Sequence, residues 1–251
     1  MGLSIPVARE TDMQRAPIRS FRPTLLRSGL SAFALSALVA ACATTPPPPP
    51  PPPPIPVAPE APVGAVLDDW RGVITAADRD RYQRRAAAWS LALEQAKRQP
   101  GSGDLAALGE LIDPEAARPS VIPPGGNYRC RTVKLGSQGG EAGLGYVVYG
   151  WFACRIENTA QGLKLTKLSG SQRQAGLLFP ESDREMVFLG SMALASEPGA
   201  RAYGQRPERD MVSVLERIGE NRWRLVTPWP ANESNLDILE LVPAPASARR
   251  R

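Results

Sequence analysis

Four arginines and two cysteines are the residues of this chain best placed by type and spacing to do chemistry. Arg129, Arg131, Arg155 and Arg173 fall in three neighbouring strand or strand-edge segments. A guanidinium presents its donors as a rigid fork that matches carboxylate and phosphate oxygens, so convergence of the four would make an anion-binding site. Arg129 and Arg131 share strand parity with Val133 and Leu135, a face that turns apolar further along. The competing use of the same side chains is surface pairing with Glu157, Asp183 and Glu185. Cys130 and Cys154 are expected to bridge, closing a loop of roughly 25 residues. A simple hairpin turning between Leu135 and Leu144 sets Cys130 opposite Tyr149, so the bridge needs a bulge, a shifted register or a non-hairpin arrangement.

What is missing narrows the chemistry further. The chain of 251 residues contains no histidine, so neither a Ser-His-Asp nor a Cys-His pair nor a His-ligated zinc or haem can be assembled. Ser171, in Gly170-Ser171-Gln172, lacks the flanking pattern of a nucleophile elbow. Gly139, Gly140, Gly143 and Gly145 lie between strands with no helix following, so they form no phosphate cradle. Asp68 and Asp69 are adjacent and point apart in an extended chain, unlike two carboxylates facing one bond. Lys-Ser and carboxylate-only chemistry stay open, because neighbours in space cannot be read from sequence. The expectation is a protein that is not an enzyme and uses no cofactor and no metal.

The elements that must position these groups run from about residue 64 to 244, read as a single globular domain. Thr75 is a helix N-cap with Asp78 three residues on. Tyr82, Ala86, Trp89, Leu93 and Ala96 then lie on one apolar face until Pro100-Gly101 stops the helix. Arg79, Arg81, Arg84 and Arg85 lie mostly off that face and read as a solvated surface offset by Asp78, Asp80 and Glu94. Leu105, Leu108 and Leu111 suggest a second, short helix before Pro114.

From Tyr128 the pattern becomes strands: 128–135, 144–156, 163–168, 186–194, 211–218, 222–227 and 236–242. Residues 163–168 alternate for part of their length, as a half-exposed strand should. Residues 144–156 are apolar on both parities, which predicts a strand covered on both sides. The predicted class is α+β, mainly antiparallel β. It is a curved or closed meander of about seven strands preceded by one long and one short helix. Trp223 and Trp229 are either a contact patch or packing beside Pro228 and Pro230.

Ahead of this domain the chain reads as an address and a stalk. Arg15, Arg19, Arg22 and Arg27 precede an uncharged apolar run from Leu30 to Ala41. At about a dozen residues that run is shorter than the roughly 20 a spanning helix needs, so it reads as an export signal over 1–41. Leu38-Val39-Ala40-Ala41-Cys42 resembles the lipobox of bacterial lipoproteins. That resemblance implies cleavage before Cys42, a diacylglycerol (with palmitate-type acyl chains) on its sulfur and, with Ala43 following, sorting to the outer membrane. Residues 42–63 carry twelve of the chain's 27 prolines, nine of them consecutive. Such a tract is extended polyproline II and spans some 60 Å at ~3.1 Å per residue. Met13 is an alternative start to Met1.

The basic balance of +5 invites a nucleic-acid reading that its distribution removes. Residues 1–42 hold five of the 30 basic and two of the 25 acidic residues, leaving 25 against 23. Three of those 25 are Arg249, Arg250 and Arg251 in a basic tail over 245–251. The domain therefore has no excess of positive charge, and no nucleic-acid partner is expected.

Several short motifs occur together: Asp69-Trp70-Arg71, Tyr128-Arg129-Cys130-Arg131, Trp151-Phe152-x-Cys154-Arg155 and Lys167-Leu168-x-Gly170-Ser171-Gln172-Arg173. Val187-Phe188-Leu189-Gly190, Glu216-Arg217-Ile218-Gly219 and Arg222-Trp223-Arg224-Leu225-Val226-x-Pro228-Trp229-Pro230 complete the set. The combination resembles the exported bacterial proteins grouped as domain-of-unknown-function family 4893, over about residues 68–243. The resemblance implies one domain and an envelope location, and it carries over no catalytic or binding residue. The expected function is a lipid-anchored, periplasm-facing module that binds an unidentified envelope protein or serves structurally. A carrier or sensor for a small acidic or lipidic ligand is the alternative, and an inhibitor of an exported hydrolase a more distant one.

Overall fold

The computed structural model describes residues 69–245. The expected signal segment 1–41, Cys42, the expected linker 42–63, residues 64–68 and residues 246–251 of the expected basic tail lie outside the described residues. Thr75 caps as its position predicts: its hydroxyl accepts from the Asp78 amide at 3.3 Å, and α1 (Ala76–Gln83) begins there. The single long helix is in fact two, because the chain breaks at Arg84 before α2 (Arg85–Arg98). No Pro or Gly marks the break. Arg84 is instead engaged from outside its helix: its guanidinium lies 4.9 Å from the Trp229 ring, and the Trp229 indole donates to its carbonyl at 3.2 Å. The residues fully buried on α2 are Ala88, Ala92 and Ala96, with Trp89 and Leu93 only partly covered. Small side chains at a spacing of four let α2 lie close on the sheet. The predicted short helix is a 3-10 segment, Ala106–Ile112, bent at Gly109.

Among the described residues nine strands follow: β1 (Gly101–Ser102), β2 (Gly126–Leu135), β3 (Tyr146–Thr159), β4 (Gly162–Lys167), β5 (Gln172–Pro180), β6 (Glu185–Leu194), β7 (Asp210–Gly219), β8 (Arg222–Pro228) and β9 (Leu236–Pro243). From β2 to β9 each strand pairs antiparallel with the next, and β9 returns to pair with β2. The meander is thus a closed eight-stranded barrel, not a set of seven strands, with β1 added as a two-residue parallel partner of β3. The strand missing from the sequence reading is β5, whose middle residue is Gly176. Gly176 lies opposite Gly190 of β6, and a Cβ on either would come within 2.7 Å of the Phe188 ring. The glycine pair makes room for that ring inside the barrel, and it is this packing that dilutes the strand signal.

Alternation sorts the side chains into one core inside the barrel and two outside it. Tyr128, Leu165, Phe188, Leu215, Trp223 and Leu225 fill the barrel towards the end that carries the β7–β8 turn. There the Trp223 indole donates to the Val121 carbonyl at 2.8 Å, so this tryptophan is core packing. Outside, α2 and the 3-10 segment cover Val133, Ile218, Val226, Leu236 and Ile238. Trp70 and Ile74 pack with Phe179, Val187, Leu189 and Val212. The helices cover only part of the circumference. The outer face of β3, predicted to be covered, is bare at Trp151, which is 41% exposed.

One guanidinium fixes how the 3-10 arm meets the wall. Arg224 of β8 is 0% exposed. It donates to Glu216 at 2.5 Å and to the carbonyls of Glu110, Leu111, Asp113 and Pro114 at 3.1, 3.1, 2.6 and 3.3 Å. Arg224→Ala leaves Glu216 buried without its partner and should cost about 3–5 kcal/mol, read as a lower denaturation midpoint in urea.

Cys130 and Cys154 are joined by a disulfide with Cα atoms 5.9 Å apart. The register supplies the answer to the hairpin problem. Leu135 pairs with Tyr146, and a bulge between Arg131 and Val133 shifts the ladder so that Cys130 lies opposite Phe152. Cys154 is then its diagonal neighbour on the inner face. Replacing both cysteines by alanine should cost about 3 kcal/mol in urea unfolding. The barrel strands are held by their ladders as well, so far-ultraviolet circular dichroism should keep its folded form.

Candidate functional site

The four predicted arginines do not converge. Arg129 and Arg131 project from the outer face of β2, where Arg131 lies opposite Trp151 in register. Their guanidinium carbons sit 4.9 and 5.0 Å from the Trp151 ring centre, so one exposed indole is flanked by two cations. Arg131 and Arg222 share the buried Glu240 carboxylate at 2.5 and 2.6 Å. Arg155 follows on the same wall, donating to Asn127 at 3.2 Å and lying 3.6 Å from Glu157. Of the acids offered as surface partners, Glu157 is the one that pairs in this group. Arg173 is elsewhere. At the start of β5 it donates to the carbonyls of Gly170, Ala195 and Glu197 at 2.9, 2.7 and 2.5 Å. Strand-end carbonyls have taken its fork, and it tethers two turns.

The same wall contains an interruption in the barrel. β3 pairs with β4 only from Cys154 to Thr159, and with β1 only at Tyr146 and Val147. Beyond Cys154 the contact continues by the Leu168 amide to the Ala153 carbonyl at 2.8 Å and the Ala153 amide to the Ser169 hydroxyl at 2.9 Å. Among the described residues, Val148 to Phe152 have strand pairing on the β2 side alone. An edge of this kind offers unpaired backbone groups to another chain.

A second candidate lies at the barrel mouth, where the β2–β3, β4–β5, β6–β7 and β8–β9 connections gather. Here every barrel strand contributes a polar or soft side chain: Lys134, Tyr149, Lys167, Gln172, Met192, Met211, Thr227 and Asp237, in order from β2 to β9. The recess on the β6–β9 side encloses about 50 Å³, and the shallower one between the β2–β3 and β8–β9 loops about 440 Å³. Lys134 lines both. Its ammonium lies 2.6 Å from Glu233 and 3.6 Å from Asp237. Burial lowers its pKa, but the attraction of Asp237 and Glu233 outweighs that and raises it. Burial also raises the Asp237 carboxyl, against the opposing pull of Lys134 and the Ser234 hydroxyl.

Lys167 has no such carboxylate. It is 4% exposed, donates to the Gln172 carbonyl at 2.8 Å and lies 4.2 Å from the Phe152 ring. Burial, with Lys134 and Arg173 nearby, lowers its pKa to about 8. The sequence does hold a signal for it. Leu163, Leu165 and Lys167 share one parity, so the alternation places a lysine on the inward row. Lys134 likewise follows Tyr128 and Cys130 on the inner row of β2.

Chemically, the wall suits contact with an acidic partner and the mouth suits a small anion. Among the described residues no three His, Cys, Asp or Glu side chains gather as metal ligands, and no helix is long and apolar enough to cross a membrane. Residues 70–241 match a family model described as Domain of unknown function (DUF4893). No curated protein and no solved structure matches the chain.

The state of Lys167 sets a pH signature. Its folded pKa of about 8 lies below the ordinary 10.5, so between these values the unfolded chain binds more protons. The Lys167 penalty is therefore full below pH 8 and relieved as pH rises towards 10.5. Lys167→Met removes that penalty. It should be more stable than wild type by up to about 3 kcal/mol at pH 7, with the difference shrinking towards pH 10 in urea titrations that compare the two proteins. A difference constant with pH would show that Lys167 carries no such penalty.

Proposed function

The chain belongs to the DUF4893 family, and from that premise we propose that it is a binding module of the bacterial cell envelope that works by protein contact and not by catalysis. In this reading lipid on Cys42 anchors it, most simply at the periplasmic face of the outer membrane, and the proline tract holds the barrel away from the bilayer. The lipobox-like run and the polyproline segment support the anchor, and the lack of histidine supports binding.

The observation that carries the contact reading is the bare β3 wall. A layer of helix and 3-10 turn shields β7 to β9, while Trp151 stands exposed between Arg129 and Arg131. Trp and Arg dominate the energetics of protein interfaces. The positive groups outnumber their acids here, since Arg131 and Arg222 share Glu240 and Arg129 lies within 4 Å of no carboxylate among the described residues. An acidic segment in extended form fits best, because it can meet the arginines and pair with the open β3 edge at once. A lipid carrier is disfavoured, since apolar side chains fill the lower barrel.

A photo-reactive phenylalanine analogue at Ala153, on this wall, should capture a discrete envelope protein from cells. The same group at Ala87, exposed on α2, should not. Trp151→Ala with Arg129→Ala should reduce the Ala153 adduct by roughly tenfold without lowering thermal stability appreciably. Equal capture from both positions, or capture indifferent to the double substitution, would rule out the wall as the contact surface.

A further inference from the structure

The wall leaves the barrel mouth unexplained, and the mouth is a built polar site. We infer that it binds a small monocarboxylate bearing a short apolar body, with Lys134 as its counter-ion and Glu233 as the group it displaces.

The argument starts from the unequal pairs of Lys134. Asp237 stands behind it on β9 at 3.6 Å with a side chain 14% exposed, whereas Glu233 approaches from the β8–β9 loop at 2.6 Å with a side chain 59% exposed. The closer partner is thus the one already half in water. Its backbone is also costly, because Glu233 holds φ at +73° and Trp229 in the same loop at +48°. Non-glycine residues rarely occupy that region, and such positions cluster where a loop clamps or switches. Glu233 occupies the place of a carboxylate ligand, and a free carboxylate can take it over while Glu233 passes to solvent. The exchange keeps the charge count at Lys134 unchanged, so no buried ammonium is stranded.

The surroundings select the rest of the ligand. The recess beside Lys134 is lined by Leu144, Val147 and Tyr149 as well as Gly136, Ser137 and Gln138. Leu144 and Tyr149 are 49% and 40% exposed, an apolar wall open on the side where a ligand would enter. Tyr149 reaches the mouth through the bulge that separates it from outward-facing Trp151. Its phenol lies near enough to Lys134 to affect the ammonium. A dianion such as phosphate is disfavoured, because Asp237 stands behind the same lysine. The ligand chemistry, a carboxylate on a short apolar chain, can come from a free acid or from the C-terminal residue of a peptide.

Isothermal titration of the full mature chain with butyrate, butyramide, N-acetyl-leucine and inorganic phosphate tests this. Butyrate or N-acetyl-leucine should bind, and butyramide and phosphate should not. The stronger of the two carboxylates identifies the source as free acid or peptide end. Glu233→Gln removes the internal competitor and should tighten carboxylate binding about threefold or more, while Lys134→Met should abolish it. Should Lys134→Met fail to fold, Glu233→Gln decides alone. Carboxylate binding left unchanged or weakened by Glu233→Gln would overturn the exchange. No binding to wild type or Glu233→Gln at about 50 mM, or binding of butyramide equal to butyrate, would overturn the site.

Discussion

A guanidinium excluded from water must have its donors taken, and Arg224 places that demand at the centre of this fold. Its Nε goes to Glu216 across the β7–β8 ladder, and its terminal nitrogens go to four carbonyls of the 110–114 arm. Carbonyls at the end of a 3-10 segment have acceptor capacity to spare, since those of Glu110 and Asp113 each take only one backbone amide, so arm and arginine satisfy each other. Trp89 of α2 lies 5.0 Å from the same guanidinium, which brings the helix into the arrangement. Where this group sits decides which part of the barrel is covered. The shielded side is the one around β8, and the far side, at β3, is left to solvent.

Closure supplies the second constraint. Eight strands leave an interior just wide enough to be filled by side chains or to hold one small ligand, and this barrel does the former at one end and suits the latter at the other. Phe188 over the Gly176–Gly190 pair shows how tight the filled end is. Towards the mouth the inward row becomes Lys134, Lys167, Gln172, Thr227 and Asp237. These groups are tolerable there because turns and their carbonyls lie within reach, as the bond from Lys167 to the Gln172 carbonyl illustrates. Arg173 obeys the same rule, and that is why it never joined the other arginines.

Much of the scaffold was legible from local pattern. Thr75 announced its cap, the aliphatic and aromatic runs marked seven of the eight barrel strands, and Cys130 and Cys154 pointed to the bridge. What was hidden depended on partners distant in sequence. β5 was masked because Gly176 is chosen by Phe188, a residue twelve positions on. The helix break at Arg84 answers to Trp229, far along the chain. The predicted apolar stripe included Ala96 beside Trp89 and Leu93, but it missed Ala88 and Ala92, both 0% exposed, whose small size the hydropathy pattern does not reward. At the candidate sites, parity correctly set Arg129 and Arg131 on the face that carries Val133 and Leu135. The same parity, applied to Leu163, Leu165 and Lys167, held the inward lysine in plain view.

A closed barrel removes sheet edges, so it gives up the commonest means of joining another chain. Contact must then occur where closure lapses or where strands end, and β3 supplies both. It pairs with β2 from Tyr146 to Ile156 but reaches β4 only with its last six residues, which exposes the Val148–Phe152 edge. The bulge in that stretch sends Tyr149 to the mouth and Trp151 to the wall. An extra residue in one strand therefore reconciles three demands that a regular hairpin could not meet together. It brings Cys130 diagonal to Cys154, it presents an indole to the two arginines of β2, and it places a phenol beside the buried Lys134. A register continued without the bulge from the Leu135–Tyr146 pair would keep the barrel but turn Cys154 outward, losing the bridge, and set Tyr149 and Trp151 on one face. The irregularity is thus where the covalent link and both candidate surfaces have a common origin.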